Sequence, residues 1–383
     1  MTATAEHGKG KWMRRSRWLV RSALVVVALL ALAACGGDDG GGGGEGDMDK
    51  VTLQSKWVVQ AQFAGYYAAL DQGFYEEEGL DVTIRPGGPD IVPEQVVLGG
   101  QAEFGINWLD SLLATRDKGQ DLVNIAQVFT RSGMTEVTWA DSGLDEITDL
   151  RGKKVGVWLG GNEHKLFAAL NKNGIDPQKD ATIVKQPFDM NLLLNREVDA
   201  AAAMTYNELA QVLETKNPKT GQLYQLSDLN VMKMSDLGTG ALEDGIFVRG
   251  DWIAEEDNQD IAKRFLKASF RGWLYCRDNQ EDCLRIVLDN GPTLGEGHQR
   301  WMLNEINALI WPAPKGIGVM EPESWEITKQ IALDGKVIKT PASDEAYRTD
   351  IAEDAVNELK DDDLDVTGEG WQKETVQVTE GGA

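Results

Sequence analysis

The sequence predicts an α/β protein of two similar lobes with a ligand cleft between them. Three observations carry this. Segments of strand character alternate with helical segments, the same order recurs about a hundred residues later, and an aromatic residue stands at the end of four equivalent strands. Strands alternating with helices mean a parallel sheet with helical crossovers. One α/β unit used twice gives two such sheets, not a short-period solenoid.

The first unit begins near Lys50. Residues 51–57 read as a short strand, and residues 63–72 carry the apolar spacing of a helix closed by Gly73. Residues 74–78 continue helically to Gly79, and 80–84 form a strand. A helix over 93–98 ends at Gly99 and Gly100, followed by a strand over 102–106 and a helix over 110–118. The second unit repeats this: strand 153–158, helix 163–172 closed by Gly174, strand 181–184, helix 190–196, strand 198–203 and helix 208–214. Tyr67-Ala68-Ala69-Leu70 is echoed by Phe167-Ala168-Ala169-Leu170.

In open α/β sheets, ligands sit outside the carboxyl ends of the strands. Trp57 and Trp158 end the first strands of the two units, Trp108 stands just past Ile106, and Tyr206 just past the Ala-rich strand. Any one of them fits a core plug; four at equivalent places point to a ligand cage. Aromatic faces sandwich a flat ring at roughly 1–3 kcal/mol per stack, or hold a cation through the ring quadrupole. Polar neighbours would orient the guest: Asn107 beside Trp108, and Asn207 and Glu208 beside Tyr206. Gly160-Gly161-Asn162-Glu163 opens a helix whose free N–H groups can hold an anionic or carbonyl oxygen, or it is a capped turn. Gln60 and Gln62 are further candidates.

The N-terminus carries Arg14, Arg15, Arg17 and Arg21, then an uncharged run from Ser22 to Ala34, then Leu32-Ala33-Ala34-Cys35. Basic start, apolar middle and small residues before a cut site read as a secretory signal over 1–34. Its ending resembles the bacterial lipobox, which implies a diacylglycerol on Cys35 and anchoring to the outer face of the cell membrane. Residues 36–46 are almost all Gly and Asp and read as a flexible tether, with the lipidated Cys and tether together spanning 35–49. Cleavage before Cys35 removes six basic residues and one acid from 38 and 62, leaving 32 against 61 and a net charge of −29. So acidic a body should not bind nucleic acid or anionic lipid through a basic face. Cys276 and Cys283 are two helix cysteines that, in an exported protein, can close a disulfide.

Several motifs then stand in the order found in a group of ABC-importer binding proteins, which includes binders of thiamine pyrimidine precursors, nitrate, sulfonates and taurine. They are Phe63-Ala64-Gly65-Tyr66-Tyr67-Ala68-Ala69, Gly73-Phe74-Tyr75, Glu77-Glu78-Gly79-Leu80-Asp81-Val82, Gly100-Gln101-Ala102-Glu103-Phe104-Gly105 and Asp149-Leu150-Arg151-Gly152-Lys153-Lys154-Val155-Gly156. The chain resembles that group from about Val51 to Ile331. The resemblance implies a two-lobe, type II periplasmic-binding-protein-like fold with two crossover strands, near 128–140 and 244–248. It assigns 50–138 and 246–345 to lobe one, 139–245 to lobe two and 346–383 to an acidic tail. It also implies a small-molecule ligand held by lobe closure, a permease and its ATPase as partners, and a monomer without cofactor or metal.

Within the group, the expected ligand-binding residues are Trp57, Tyr66, Asn107, Trp108, Trp158, Asn162, Tyr206, Asn207, Glu208 and Asp244. That set suits a flat, nitrogen-rich, neutral or cationic heterocycle: first a pyrimidine precursor of thiamine, then a larger ring such as riboflavin. Arg85 and Arg131 keep an anion such as nitrate or sulfonate open. The group has an enzyme relative, a fungal pyrimidine synthase with a cysteine-rich segment; this chain has no Cys between Cys35 and Cys276, and a binder is the expectation.

Overall fold

The computed structural model describes residues 48–159 and 161–381. The expected leader, the lipidation site Cys35, the tether as far as residue 47, and Gly160 lie outside the described residues.

The chain builds two five-stranded sheets in the same spatial order. The first is assembled from β1 (Asp49–Gln54), β2 (Leu80–Arg85), β3 (Phe104–Asn107) and β4 (Leu122–Gln127). The chain then passes over through 128–133 to β5 (Met134–Trp139), which lies in the second sheet with β6 (Lys154–Val157), β7 (Thr182–Lys185), β8 (Ala200–Met204) and β9 (Leu229–Lys233). It returns through 234–244 to β10 (Gly245–Arg249). The orders are β2-β1-β3-β10-β4 and β7-β6-β8-β5-β9. The parallel cores match in register, with Val51 opposite Val82 in one and Val155 opposite Ile183 in the other.

Both sheets are mixed. β10 runs antiparallel to β3 and β4, and β5 antiparallel to β8 and β9. The reason is connectivity. A strand arriving from the other lobe enters its sheet at the cleft side, where the parallel strands end, and must run against them. The expected boundary after residue 138 falls inside β5, which belongs wholly to the second sheet.

The helices of the first unit are α1 (Ala64–Asp71), α2 (Phe74–Glu77), α3 (Pro93–Leu98) and α4 (Leu109–Arg116). Those of the second are α5 (His164–Lys172), α6 (Asn191–Leu194) and α7 (Glu208–Leu213). After β10 come α8 (Gly250–Ile253), α9 (Glu256–Asp278), α10 (Gln280–Asn290), α11 (Glu296–Ile310), α12 (Pro322–Asp334) and α13 (Asp350–Asp361). Most of this C-terminal block packs on lobe one. α1 is buried on nearly every side, because α9 crosses it at backbone distance. A Cβ on Gly65 would overlap the Trp273 ring, and one on Gly272 would overlap the Gly65 carbonyl oxygen. Cys276, near the end of α9, is joined to Cys283 in α10, with a Cα–Cα distance of 5.1 Å.

The acidic tail expected over 346–383 is also corrected. α13 buries Ile351, Ala352, Ala355, Val356 and Leu359, a helical stripe, against α9. Its outward residues Glu353, Asp354, Asn357, Lys360 and Asp361 face water, as do Asp362 and Asp363 after it. The chain beyond stays docked: Asn304 exchanges two hydrogen bonds with the Glu374 backbone, at 2.8 and 3.0 Å.

Candidate functional site

Both sheets direct the carboxyl ends of their parallel strands toward one cavity of about 620 Å³, inside the usual range for small-molecule pockets. Trp57 follows β1, Trp108 follows β3, Trp158 follows β6 and Tyr206 follows β8, and all four line it. The duplicated strand order thus brings equivalent positions face to face. Asn107, Asn162, Asn207 and Glu208 line the cavity as well.

Two expected residues do not line it. Tyr66 lies in the core, edge-on to Trp273 at 5.6 Å, because α1 has no solvent-facing side at that turn. Asp244 stands one layer back. It accepts from Gln62 Nε2 at 2.6 Å, and Gln62 in turn accepts from Gln60 Nε2 at 2.6 Å. Those two glutamines line the cavity in front of it. Arg85 and Arg131 are also absent from the lining: Arg131 is spent on the carbonyls of Trp311 and Pro312, and Arg85 on that of Gln101.

Two lysines that the sequence reading does not single out stand at or beside the site. Lys56 Nζ donates to Asn107 Oδ1 at 2.8 Å and to Asn162 Oδ1 at 3.3 Å, one partner from each lobe. Burial lowers its pKa, against the opposing pull of Asp244 and Glu94. Lys165 is fully buried; its ammonium lies 3.5 Å from the centroid of the Trp108 ring and 3.3 Å from Glu243 Oε1. Lys56 also lies near that ring, at 4.5 Å. Trp108 is therefore held by two cations, a favourable arrangement for a desolvated indole, and its ring is less free to stack on a guest than those of Trp57 or Trp158. A signal for both lysines existed in retrospect: Lys56 adjoins Trp57, and Lys165 follows the mouth of α5.

Asn107 is likewise committed. Its Nδ2 donates to Glu94 at 2.8 Å, and its Oδ1 serves Lys56 and the Trp108 backbone. It orients the lysine more than it reads a ligand. Glu243 ties the two connecting segments together: it accepts from Ser132 Oγ at 2.6 Å and from the Gly133 N–H at 2.9 Å.

The electrostatic balance of the region is acidic. Glu94, Asp110, Glu243 and Asp244 surround Lys56 and Lys165, and Glu208 lines the same cavity. Burial raises the carboxyl of Glu208 to about 7 and that of Asp244 to about 6. Glu94 is also raised by burial. Asp110 goes the other way: burial pushes it up, but Lys165, His164 and Lys56 together bring it below its ordinary value. Among the described residues, Asp244 Oδ1 and Trp108 Nε1 have no hydrogen-bond partner, and Lys165 Nζ has only its ion pair with Glu243 and the Trp108 ring face.

Contacts also cross the cleft. The Trp57 ring meets Phe188 at 4.4 Å, and His164 Nδ1 lies 3.4 Å from Asp110 Oδ2. Together with Lys56–Asn162 and Lys165–Trp108, they join the lobes around the cavity.

Comparison with known proteins agrees with this architecture. A family model described as NMT1/THI5 like matches residues 60–283. The riboflavin-binding protein RibY of Chloroflexus aurantiacus is 24% identical over 307 residues, covering 77% of this chain and 83% of that one. A formylaminopyrimidine-binding protein of Halalkalibacterium halodurans is 22% identical over 288 residues, covering 73% and 83%. Among solved structures, the periplasmic aliphatic sulphonate binding protein SsuA of Escherichia coli superposes with a TM-score of 0.56 at 15% identity, covering 86% of this chain and 94% of that one. At that identity the last likeness concerns the fold alone.

Proposed function

The chain belongs to the NMT1/THI5-like family, and from that premise we propose that it is the extracytoplasmic solute-binding subunit of an ABC-type importer, capturing a flat, nitrogen-rich heterocycle by closing two lobes around it. One observation carries the ligand class: aromatic residues from four equivalent strand ends share a cavity with buried carboxylates, above all Glu208. Trp57, Trp158 and Tyr206 supply ring faces. Glu208 and Asn207, at the mouth of α7, supply an acceptor and a donor for the edge of an amino-substituted ring. A site that hydrogen-bonds a ring edge rejects analogues lacking those groups far more strongly than an apolar pocket does. The named ligands of the relatives, riboflavin and a formylaminopyrimidine, belong to this class.

Closure follows from the two connecting segments, 128–133 and 234–244. A ligand that touches both lobes binds the closed form better and shifts the population toward it. Anchoring through Cys35 and export by the 1–34 leader belong to the same reading and rest on the sequence. The protein is read as a binder and not as a synthase, since the chain has no Cys between Cys35 and Cys276.

A second reading, an anion binder of the sulfonate type, is favoured by Lys56, whose ammonium reaches the cavity. The acids around it weigh against that reading. The test is a thermal-shift screen with riboflavin, the formylaminopyrimidine, taurine and nitrate. A ligand that binds only the native state raises the midpoint. The reading expects a rise with one of the heterocycles; a rise with taurine or nitrate alone would replace it with the anion reading.

A further inference from the structure

Behind the cavity, four polar groups form a hydrogen-bonded chain that leaves the second lobe for α11 and returns to it. Glu208 Oε1 accepts from Asn207 Nδ2 at 2.8 Å, and Glu208 Oε2 accepts from the Met204 N–H at 3.0 Å. Asn207 Oδ1 lies 2.8 Å from His298 Nε2. His298 Nδ1 lies 2.9 Å from Glu214 Oε1. Glu214, Asn207 and Glu208 bracket α7 in the second lobe; His298 is on α11. His298 and Glu214 are both almost fully buried, and neither lines the cavity. Asn207 presents its oxygen and Glu214 its carboxylate, so each ring nitrogen of His298 lies within hydrogen-bond reach of an oxygen.

α11 is held to the first lobe by the very next residue: Gln299 Oε1 accepts from the Ala61 N–H at 2.7 Å. A third neighbour returns to the second lobe, where Trp301 Nε1 donates to the Thr205 carbonyl at 2.9 Å. The C-terminal segment seals the same place. Val378 packs into the second lobe's core, the Gly381 N–H donates to the Glu214 carbonyl at 3.1 Å, and Lys216 pairs with Glu380 at 2.5 Å. Two independent elements, α11 and the C-terminal strap, therefore grip α7 from outside.

We propose that His298 is a positioning residue for the cleft: from outside the cavity it fixes the Asn207–Glu208 pair that faces the ligand, and it does so only while the lobes are joined. Its contacts with Asn207 and Glu214 make the setting of the ligand-facing edge depend on closure. Swinging α7 away from α11 breaks the Asn207 contact and frees its amide to turn. The proposal rests on the reading that Asn207 and Glu208 face the ligand, but its test needs no ligand, so the two can fail separately.

The test compares wild type, His298→Ala, His298→Gln and Glu214→Gln in the full chain. By amide hydrogen exchange, His298→Ala is expected to speed exchange over 204–213 at least tenfold while α9 keeps its protection; His298→Gln, which retains one donor, recovers part of the loss. Nitrogen-15 spectra of the imidazole rings are expected to show the His298 ring-nitrogen resonances displaced in Glu214→Gln relative to wild type. Unchanged exchange over 204–213 in His298→Ala, or His298 ring-nitrogen resonances that do not respond to Glu214→Gln, overturns the proposal. Should the Ala variant not fold, the Glu214→Gln spectrum decides.

Discussion

At the scale of single residues, the aromatic cage divides into rings that can be probed cleanly and rings that cannot. Trp158 and Tyr206 are almost fully buried, so truncating either removes core as well as cage, at about 3–5 kcal/mol for a large aromatic. Trp57 is only partly buried and packs on Phe188. Trp57→Ala is expected to weaken ligand binding roughly tenfold, about one stacking contact, with little change in the thermal midpoint of the free protein. Calorimetric titration beside a melting curve checks both halves.

The two raised carboxyls give a pH dependence of definite sign. Glu208 keeps its proton to about 7 in the native state, against an ordinary value of 4.5, and Asp244 to about 6, against 3.8. Across those windows the native state binds more protons than the unfolded chain. Stability of the free protein due to these groups is therefore present at low pH and lost as pH rises through about 6 to 7. Ligand affinity runs the other way for a ring that donates to ionised Glu208. Binding is expected to tighten on the order of tenfold between about pH 5.5 and 7.5, the span of a titrating carboxyl, whereas an anion would bind more weakly over the same range. Titration calorimetry at the two pH values reads the difference.

At the scale of elements, the duplicated strand–helix order and the four strand-end aromatics could be read directly, since period-2 and period-3.6 patterns and Gly stops were all present. β4 was missed because Leu-Val-Asn-Ile-Ala-Gln is buried on both faces and so lacks alternation. β9 is a short edge strand whose Lys233 end looks like loop. α13 was hidden by its charge: the acids on its outer face mask the stripe at 351, 352, 355, 356 and 359. Lys56 and Lys165 were missed because a lysine read from sequence is assumed solvated, and only the meeting of two lobes buries them. Gly272 illustrates a packing requirement that no pattern reveals. Gly272→Ala is expected to lower stability by about 1–3 kcal/mol, the ordinary cost of overpacking, or more, because the obstruction is the Gly65 backbone. A denaturant melt of the variant measures it.

At the scale of the whole molecule, function depends on symmetry of a particular kind. Each sheet completes itself with a strand delivered from the opposite lobe, β10 in one and β5 in the other. The two connections therefore enter both sheets beside the cavity, and any motion that opens the cleft pivots where Glu243 fastens 132–133 to the return segment. On the proposed reading, ligand in the cleft, the hinge beside it and the α7 grip behind it act as one mechanical unit.

The most direct measurement is a crystal structure of the protein with riboflavin or the formylaminopyrimidine bound. The account predicts the ring lodged between Trp57, Trp158 and Tyr206, its edge hydrogen-bonded to Glu208 and Asn207. A heterocycle bound elsewhere, or an anion seated on Lys56 with those three rings untouched, would contradict it.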